Sequence, residues 1–202
     1  MTHYFDQEPE SEHRYRLIET EFKGVNFSFR TDSGVFSGTD IDRGTALLID
    51  IVLAEEPCAP GRMLDLGSGY GAVSVVFRKL RPELEIVASD VNRRALELVS
   101  YNLKLNSLPA VEVVESDGLA DISGDFDLIL LNPPIRTGKE TVYRLYRESY
   151  AALKPGGRFY LVVRKKQGAP STVSELESYW DEVEVIKKKS GYWIIRCEKS
   201  AV

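Results

Sequence analysis

The segment Asp65-Leu66-Gly67-Ser68-Gly69-Tyr70-Gly71 follows an apolar run and opens a helical stretch, and it narrows the possible folds more than any other feature. Glycines at alternate positions let the backbone turn sharply and approach a ligand closely, while N–H groups at the start of the next helix point toward it. A strand, a glycine turn and a helix in succession call for a parallel sheet covered by helices. The rest of the chain keeps that rhythm. Short apolar runs at 63–66, 86–89, 111–114, 128–131 and 159–163 alternate with helical patterns over 72–80, 93–105 and 140–153. The strands before Lys154 are expected to be parallel and buried on both faces. The ending differs: a helix over 174–180 precedes two strands, 183–186 and 192–196, joined at Ser190-Gly191, and strands that close together pair antiparallel. The expected architecture is an α/β doubly wound sheet of seven strands, mostly parallel, with the last strand antiparallel.

Two further elements precede this core. Val25, Phe27 and Phe29, a Thr31-Asp32-Ser33-Gly34 break, then Val35 and Phe36 predict a hairpin. Thr45 is positioned to cap a helix running to about residue 56. With 202 residues one globular unit is expected, residues 1–56 forming an N-terminal extension packed on a main domain of residues 57–202.

Composition excludes several classes. Apolar residues make up 43% and charged residues 28%, as in ordinary globular proteins. No apolar run approaches the roughly 20 residues that span a bilayer. The N-terminus is acidic and interrupted by Pro9, unlike a secretion signal, so a cytoplasmic location is expected. Cys58 and Cys197 are too few for a stapled fold or a structural zinc site; both are expected to be reduced and structural, with no metal bound. The net charge of -5 hides an asymmetry. Residues 136–202 carry 14 Lys and Arg against 8 Asp and Glu, and residues 1–135 carry 12 against 23. A cationic face beside an acidic body and a set of solvated strand ends both fit that division.

The glycine loop is spaced G-x-G-x-G rather than G-x-G-x-x-G, and Asp65 precedes its first glycine by two positions. A carboxylate there repels a pyrophosphate and attracts an ammonium group. S-adenosylmethionine, which carries an ammonium and no phosphate, fits that chemistry. Asp90 closes the next strand 19 residues after Gly71, near the spacing at which an acidic residue accepts hydrogen bonds from a ribose diol. Asp117 ends the third strand, where a carboxylate can accept from an adenine amino group. Taken singly, each acid also resembles a helix cap or loop residue; their recurrence at three successive strand ends carries the inference.

Asn132-Pro133-Pro134-Ile135 follows the apolar run 128–131 directly. Consecutive prolines fix the backbone and continue neither a strand nor a helix. The Asn132 side-chain oxygen and the Pro133 carbonyl are thereby placed to accept both hydrogens of a planar amino group, turning its nitrogen lone pair toward a methyl donor. Positioning and electrostatics supply the rate, and no strong base is required, in keeping with a chain whose histidines are His3 and His13.

Together these motifs resemble class I S-adenosylmethionine-dependent methyltransferases. Asn132 to Lys139 in particular is similar to the small-domain family that includes ribosomal RNA guanine N2-methyltransferases. The stretches Thr31-Asp32-Ser33-Gly34-Val35-Phe36-Ser37, Asp42-Arg43-Gly44-Thr45, Asn92-Arg93-Arg94-Ala95 and Lys166-Gln167-Gly168-Ala169 resemble its stand-alone archaeal-type members. The resemblance implies that Asp65, Gly67, Gly69 and Gly71 line the methionine end of the cofactor, with Ser68 beside them. It places Asp90 at the ribose with Asn92 following, Asp117 at the adenine, and Asn132, Pro133, Pro134 and Ile135 at the target amine. It implies methylation of an exocyclic base amine, guanine N2 in ribosomal RNA first, with ribosomal RNA as partner. Many N-methyltransferases carry an aromatic residue where this chain has Ile135, so Phe36 and Tyr70 become candidates to stack on the base, although either also suits core packing. Arg136 and Lys139, and beyond them Arg164, Lys165, Lys166 and Lys187 to Lys189, are candidates for phosphate contacts. A protein glutamine acceptor and a non-catalytic, cofactor-binding ribosome-assembly module are the alternatives. An NAD oxidoreductase fits the glycine spacing poorly.

Overall fold

The computed structural model describes residues 13–33, 35 and 40–201. It opens on a hairpin in which β1 (Arg16–Phe22) pairs antiparallel with β2 (Val25–Thr31). Lys23 and Gly24 take φ of 51° and 77°, the pair of positive values that a tight hairpin turn compatible with strand twist requires. The hairpin therefore lies upstream of its expected place. The Thr31-Asp32-Ser33 stretch ends β2 and turns the chain, with Val35 N–H donating to the Asp32 carbonyl at 3.0 Å, but among the described residues no strand follows it before Arg43, and Gly34 and Phe36 fall outside the described residues. The sequence signal for β1 is weak because charged residues occupy most of its outer face. Only Ile18 and Phe22 face inward and bury, Ile18 opposite Phe29 and Phe22 opposite Val25.

α1 (Arg43–Glu55) begins two residues before Thr45, because Asp42 is its cap. One carboxylate oxygen, Asp42 Oδ2, accepts from the N–H groups of Gly44 at 2.8 Å and Thr45 at 3.0 Å. The correction matters functionally, since it leaves the Thr45 hydroxyl available for another partner.

The main sheet is built from β3 (Gly61–Leu66), β4 (Leu84–Asp90), β5 (Glu112–Glu115), β6 (Phe126–Leu131), β7 (Leu153–Arg164), β8 (Glu182–Lys189) and β9 (Tyr192–Glu198). Its order is β5-β4-β3-β6-β7-β9-β8, with β3 to β7 mutually parallel and β9 antiparallel to both neighbours. The last strand is thus reversed, as expected, but it is inserted between β7 and β8 rather than added outside. The chain moves outward from β3 to β5, then returns to β6 on the other side of β3. That reversal of direction opens a crevice beyond the carboxyl ends of β3 and β6, the usual ligand position in such sheets.

The connecting helices are α2 (Ala72–Leu80), α3 (Arg93–Leu105), α4 (Lys139–Ala152) and α5 (Ala169–Leu176). Alternation along each strand feeds two cores: Met63, Leu128 and Leu130 face the hairpin and α1 to α3, while Leu64, Ile129 and Leu131 face α4 and α5. α5 starts earlier than the expected 174–180 because Gly168 takes φ 99° at its cap and Pro170 sits in its first turn; Trp180 falls beyond its end. β7 is longer than expected, drawing in Pro155, Gly156 and Gly157. A Cβ on Gly157 would lie 2.9 Å from the Lys154 carbonyl oxygen, so the residue must be glycine for the strand to pass. Lys187, Lys188 and Lys189 are exposed on β8, the outer strand, where charge discourages pairing with another sheet edge. Cys197 is buried and Cys58 exposed, so only Cys197 serves the core. Among the described residues no helix is long and apolar enough to cross a membrane.

Candidate functional site

Strand register brings the sequence motifs together. Asp65 pairs with Ala88 and Leu130, and Leu66 with Ser89 and Leu131. Gly67, Asp90 and Asn132 therefore follow side by side at the same sheet end. They line a cleft of about 790 Å³ with Ser33, Val35, Asp42, Tyr70 and Arg164 on its walls.

One wall is the glycine loop. Gly67, Gly69 and Gly71 take φ of 68°, 55° and 87°, which side chains resist. A Cβ on Gly71 would stand 3.1 Å from the Val99 backbone, so glycine also admits close packing of α2 on α3. The loop is tied to β4 twice: Ser68 N–H donates to the Ser89 carbonyl at 2.8 Å, and Gly69 N–H to Asp90 Oδ2 at 2.9 Å. Asp90 Oδ1 accepts from Asn92 N–H at 2.9 Å. Burial raises the Asp90 carboxyl above its ordinary range against the pull of those N–H bonds. Asp65 is more deeply set. Its Oδ2 accepts from the Ser74 amide at 3.0 Å and hydroxyl at 2.5 Å, holding the start of α2. Burial pushes the Asp65 carboxyl up to about 6, opposed by the Ser74 bonds and reinforced by the neighbouring Asp90 charge. Among the described residues neither carboxylate has a cationic partner. Ser68 Oγ and Ser89 Oγ are buried in this wall without hydrogen-bond partners. Two uncompensated carboxylates and two orphaned hydroxyls fit a ligand carrying an ammonium group and several hydroxyls.

The opposite wall is Asn132-Pro133-Pro134-Ile135. Asn132 Nδ2 donates to Thr45 Oγ1 at 2.9 Å and to Asp42 Oδ2 at 3.3 Å. A carboxylate only accepts, so the amide orientation is fixed and Oδ1 remains as the group offered to a ligand. Pro134, with φ -75° and ψ 71°, bends the chain so that Ile135 N–H donates to the Pro133 carbonyl at 2.8 Å. One lone pair of that expected acceptor is therefore already engaged. The Pro134 carbonyl accepts from Thr137 N–H at 3.0 Å and Thr137 Oγ1 at 2.8 Å, stiffening the turn. Ile135 packs against the α4 core and lines the cleft.

Other expected residues fare differently. Asp117 reaches the cleft rim but is 71% exposed, with Oδ1 held at 2.6 Å by Arg144 Nη2. Asn92 is buried, and its side chain caps α3 by accepting from Arg94 N–H; it does not line the cleft. Tyr70 lines the cleft while packing edge-on against Phe29 at 5.8 Å, and burial, with Asp42 nearby, raises its phenol further. Arg136 is exposed at the cleft. Lys139 lies off it, beside a shallow depression lined by Gly138, Tyr143 and Ser171. Sequence motifs gave no sign of Asp42 and Thr45 as supports of Asn132, or of Tyr192. The Tyr192 phenol accepts from Arg164 Nε at 2.8 Å and from its Nη2, and its ring packs where a Cβ on Gly44 would be. A glycine in the first turn of α1, two residues after the Asp42 cap, and a tyrosine directly after the Ser190-Gly191 turn were the available signals.

A mostly parallel sheet with one inserted reversed strand, a glycine loop and strand-end carboxylates defines a class I S-adenosylmethionine-dependent methyltransferase fold. The chain belongs to the methyltransferase small-domain family, whose model matches residues 26–196. It is 38% identical over 199 residues to an uncharacterised Bacillus subtilis protein, YbxB, covering 98% of both chains. It is 34% identical over 171 residues to ribosomal RNA small subunit methyltransferase C of Shewanella loihica, covering 83% of this chain and 48% of that protein. The chain thus spans about half the length of the latter kind of relative. Among solved structures, the T. thermophilus 16S rRNA N2 G1207 methyltransferase in complex with AdoMet and guanosine superposes with a TM-score of 0.81 at 24% identity, over 92% of this chain and 50% of that one. A ribosomal protein L11 methylase from Lactobacillus delbrueckii subsp. bulgaricus superposes with a TM-score of 0.69 at 19% identity, over 84% of each chain. These two likenesses are of fold.

Proposed function

We propose that this enzyme methylates an exocyclic base amine, guanine N2 in small-subunit ribosomal RNA, using S-adenosylmethionine. The observation that carries the reading is the fixed Asn132 amide: its NH2 is held from behind by Asp42 and Thr45, which presents Oδ1 to the cleft. Bound there, S-adenosylmethionine supplies an electrophilic methyl group. Asp65 would face its ammonium and Asp90 its ribose hydroxyls. Asp117, already paired with Arg144, is left with a contact at the adenine rim.

Asn132 Oδ1 accepts one hydrogen of the target amine, and the second lone pair of the Pro133 carbonyl accepts the other. Two fixed acceptors in the amine plane orient the nitrogen lone pair out of that plane, and orientation of this kind supplies rate without a strong base. Among the described residues no histidine lines the cleft; His13 is instead paired with Asp32. Arg136 and Arg164 provide cationic donors for the nucleotide carrying the amine. Support for a ribosomal RNA acceptor comes from the relative named for small-subunit ribosomal RNA methylation and from these two arginines at the cleft.

The reading is tested by incubating purified protein and labelled S-adenosylmethionine with small ribosomal subunits and naked ribosomal RNA from cells lacking the gene, then mapping the label. Label on guanine N2 is expected. Label on a glutamine side chain of a ribosomal protein, whose planar amide offers the same two hydrogens, would overturn the nucleobase assignment. No label on any substrate, with intact cofactor binding, would favour a non-catalytic role.

A further inference from the structure

Asn102 in the last turn of α3 and Asn106 at its C-cap stand one turn apart and face the edge of β2 that β1 leaves unpaired. Each closes a two-way bond with one β2 residue. Asn102 Oδ1 accepts from Arg30 N–H at 2.7 Å while its Nδ2 donates to the Arg30 carbonyl at 2.9 Å. Asn106 Oδ1 accepts from Ser28 N–H at 3.1 Å while its Nδ2 donates to the Ser28 carbonyl at 2.7 Å. The spacing of residues four apart on a helix is close to that of residues two apart on a strand, so two amides serve as a substitute third strand. The remaining hydrogen of each amide differs in destination. Asn106 donates it to the Asn102 carbonyl of its own helix at 2.8 Å, whereas Asn102, fully buried, donates it to the Tyr70 carbonyl of the glycine loop at 2.8 Å.

We infer that Asn102 is a positioning residue that couples the glycine loop to the hairpin, so that ligand on the loop and the hairpin wall of the cleft stabilise one another. The inference rests on the glycine loop being the cofactor loop. Tyr70 lies between Gly69 and Gly71, its carbonyl is held by Asn102, and its ring meets Phe29 of β2. β2 leads directly into Ser33 and Val35, which line the cleft. A loop held in its ligand-bound shape therefore holds Arg30 through one shared amide, and by reciprocity a hairpin loosened at Arg30 weakens the ligand, whereas loosening at Ser28, which Asn106 holds, does not reach the loop.

Asn106 provides a matched control, since it anchors the hairpin equally but does not touch the loop. The probe is S-adenosylhomocysteine, with affinity read by calorimetry and hairpin opening by amide hydrogen exchange at Ser28 and Arg30. In the unaltered protein the ligand is expected to slow exchange at both amides. Asn102→Ser is expected to lower affinity about tenfold and to abolish the ligand response of the hairpin. Asn106→Ser is expected to speed hairpin exchange yet keep affinity within about twofold and retain the response at Arg30. Equal affinity losses in both variants would reduce Asn102 to a structural anchor and overturn the coupling. If Asn102→Ser does not fold, the unaltered protein decides: ligand binding without slowed exchange overturns the coupling alone. Failure of the unaltered protein to bind S-adenosylhomocysteine overturns the cofactor reading, and the coupling with it.

Discussion

The two walls of the cleft are built in opposite ways. The glycine-loop wall comes from one continuous strand-turn-helix-strand segment, and its polar groups hold one another: Ser74 on Asp65, Gly69 and Asn92 on Asp90. The Asn132 wall is assembled from parts distant in sequence, with Asp42 and Thr45 arriving from 90 and 87 residues away. The first wall's carboxylates are held by bonds made within residues 65–92, whereas the second exists only once α1 has docked against the sheet. A damaged first wall should therefore show in cofactor affinity, and a damaged second wall in turnover.

The largest separation is expected for Asn132→Ala. Removing the fixed acceptor should lower kcat by about a hundredfold or more while S-adenosylhomocysteine affinity stays within about twofold, since such preorganised groups contribute on that scale. Calorimetry beside initial rates checks it, and a parallel loss of affinity would join the walls into one unit. A smaller effect is expected for Asp42→Ser. Serine can still cap α1, so stability should fall by less than about 1 kcal/mol. Asn132 loses one of its two supports, and kcat should fall about tenfold with affinity unchanged. Equal kcat for Asp42→Ser and the unaltered enzyme would show that Thr45 alone orients the amide.

The same contrast explains what could be foreseen from sequence. The glycine loop, Asp90 and Asn132 were legible because each directly follows an apolar run in a parallel sheet, and Asp65 because it stands two residues before the loop's first glycine; register then brings them together with no further information. Asp42 and Thr45 were not legible in this role, since capping and docking compete for the same side chains and only the tertiary position of α1 decides. The hairpin was misplaced because the Lys23-Gly24 turn lies in a charged stretch, while Thr31 to Gly34 has the composition of a turn but follows a strand already paired on its other side. Asn92 and Lys139 follow genuine motifs, yet one is taken up by the cap of α3 and the other by the far side of the Pro134 turn.

The pH dependence of cofactor binding probes the first wall alone. With its carboxyl raised from 3.8 to about 6 by burial, Asp65 contributes stability that is present below the lower value and lost as pH rises through the upper one. An ammonium ligand reverses that preference because it binds the ionised form. S-adenosylhomocysteine affinity should therefore rise about tenfold between pH 5 and pH 7 and level off above, and Asp65→Asn should flatten the profile at its low end. The kcat of a saturated enzyme should not follow this curve, since the Asn132 amide and the Pro133 carbonyl that grip the amine do not titrate.

The smallest expected effect lies at the mouth of the cleft, where the structure separates two cations that sequence placed together. Arg136 opens into the cleft and Lys139 three residues later does not, because the turn over Ile135–Thr137 carries the chain around the Pro134 bend before α4 begins. Arg136→Gln should raise KM for the RNA several-fold and reduce its salt dependence by about one contact, while Lys139→Gln should change neither by more than about twofold. Both residues are exposed, so neither substitution should alter stability by more than about 0.5 kcal/mol, and a difference in KM would reflect the surface each side chain reaches. Equal effects from the two would mean that the substrate extends past the cleft across the start of α4, and the second wall would then continue beyond the Pro134 turn.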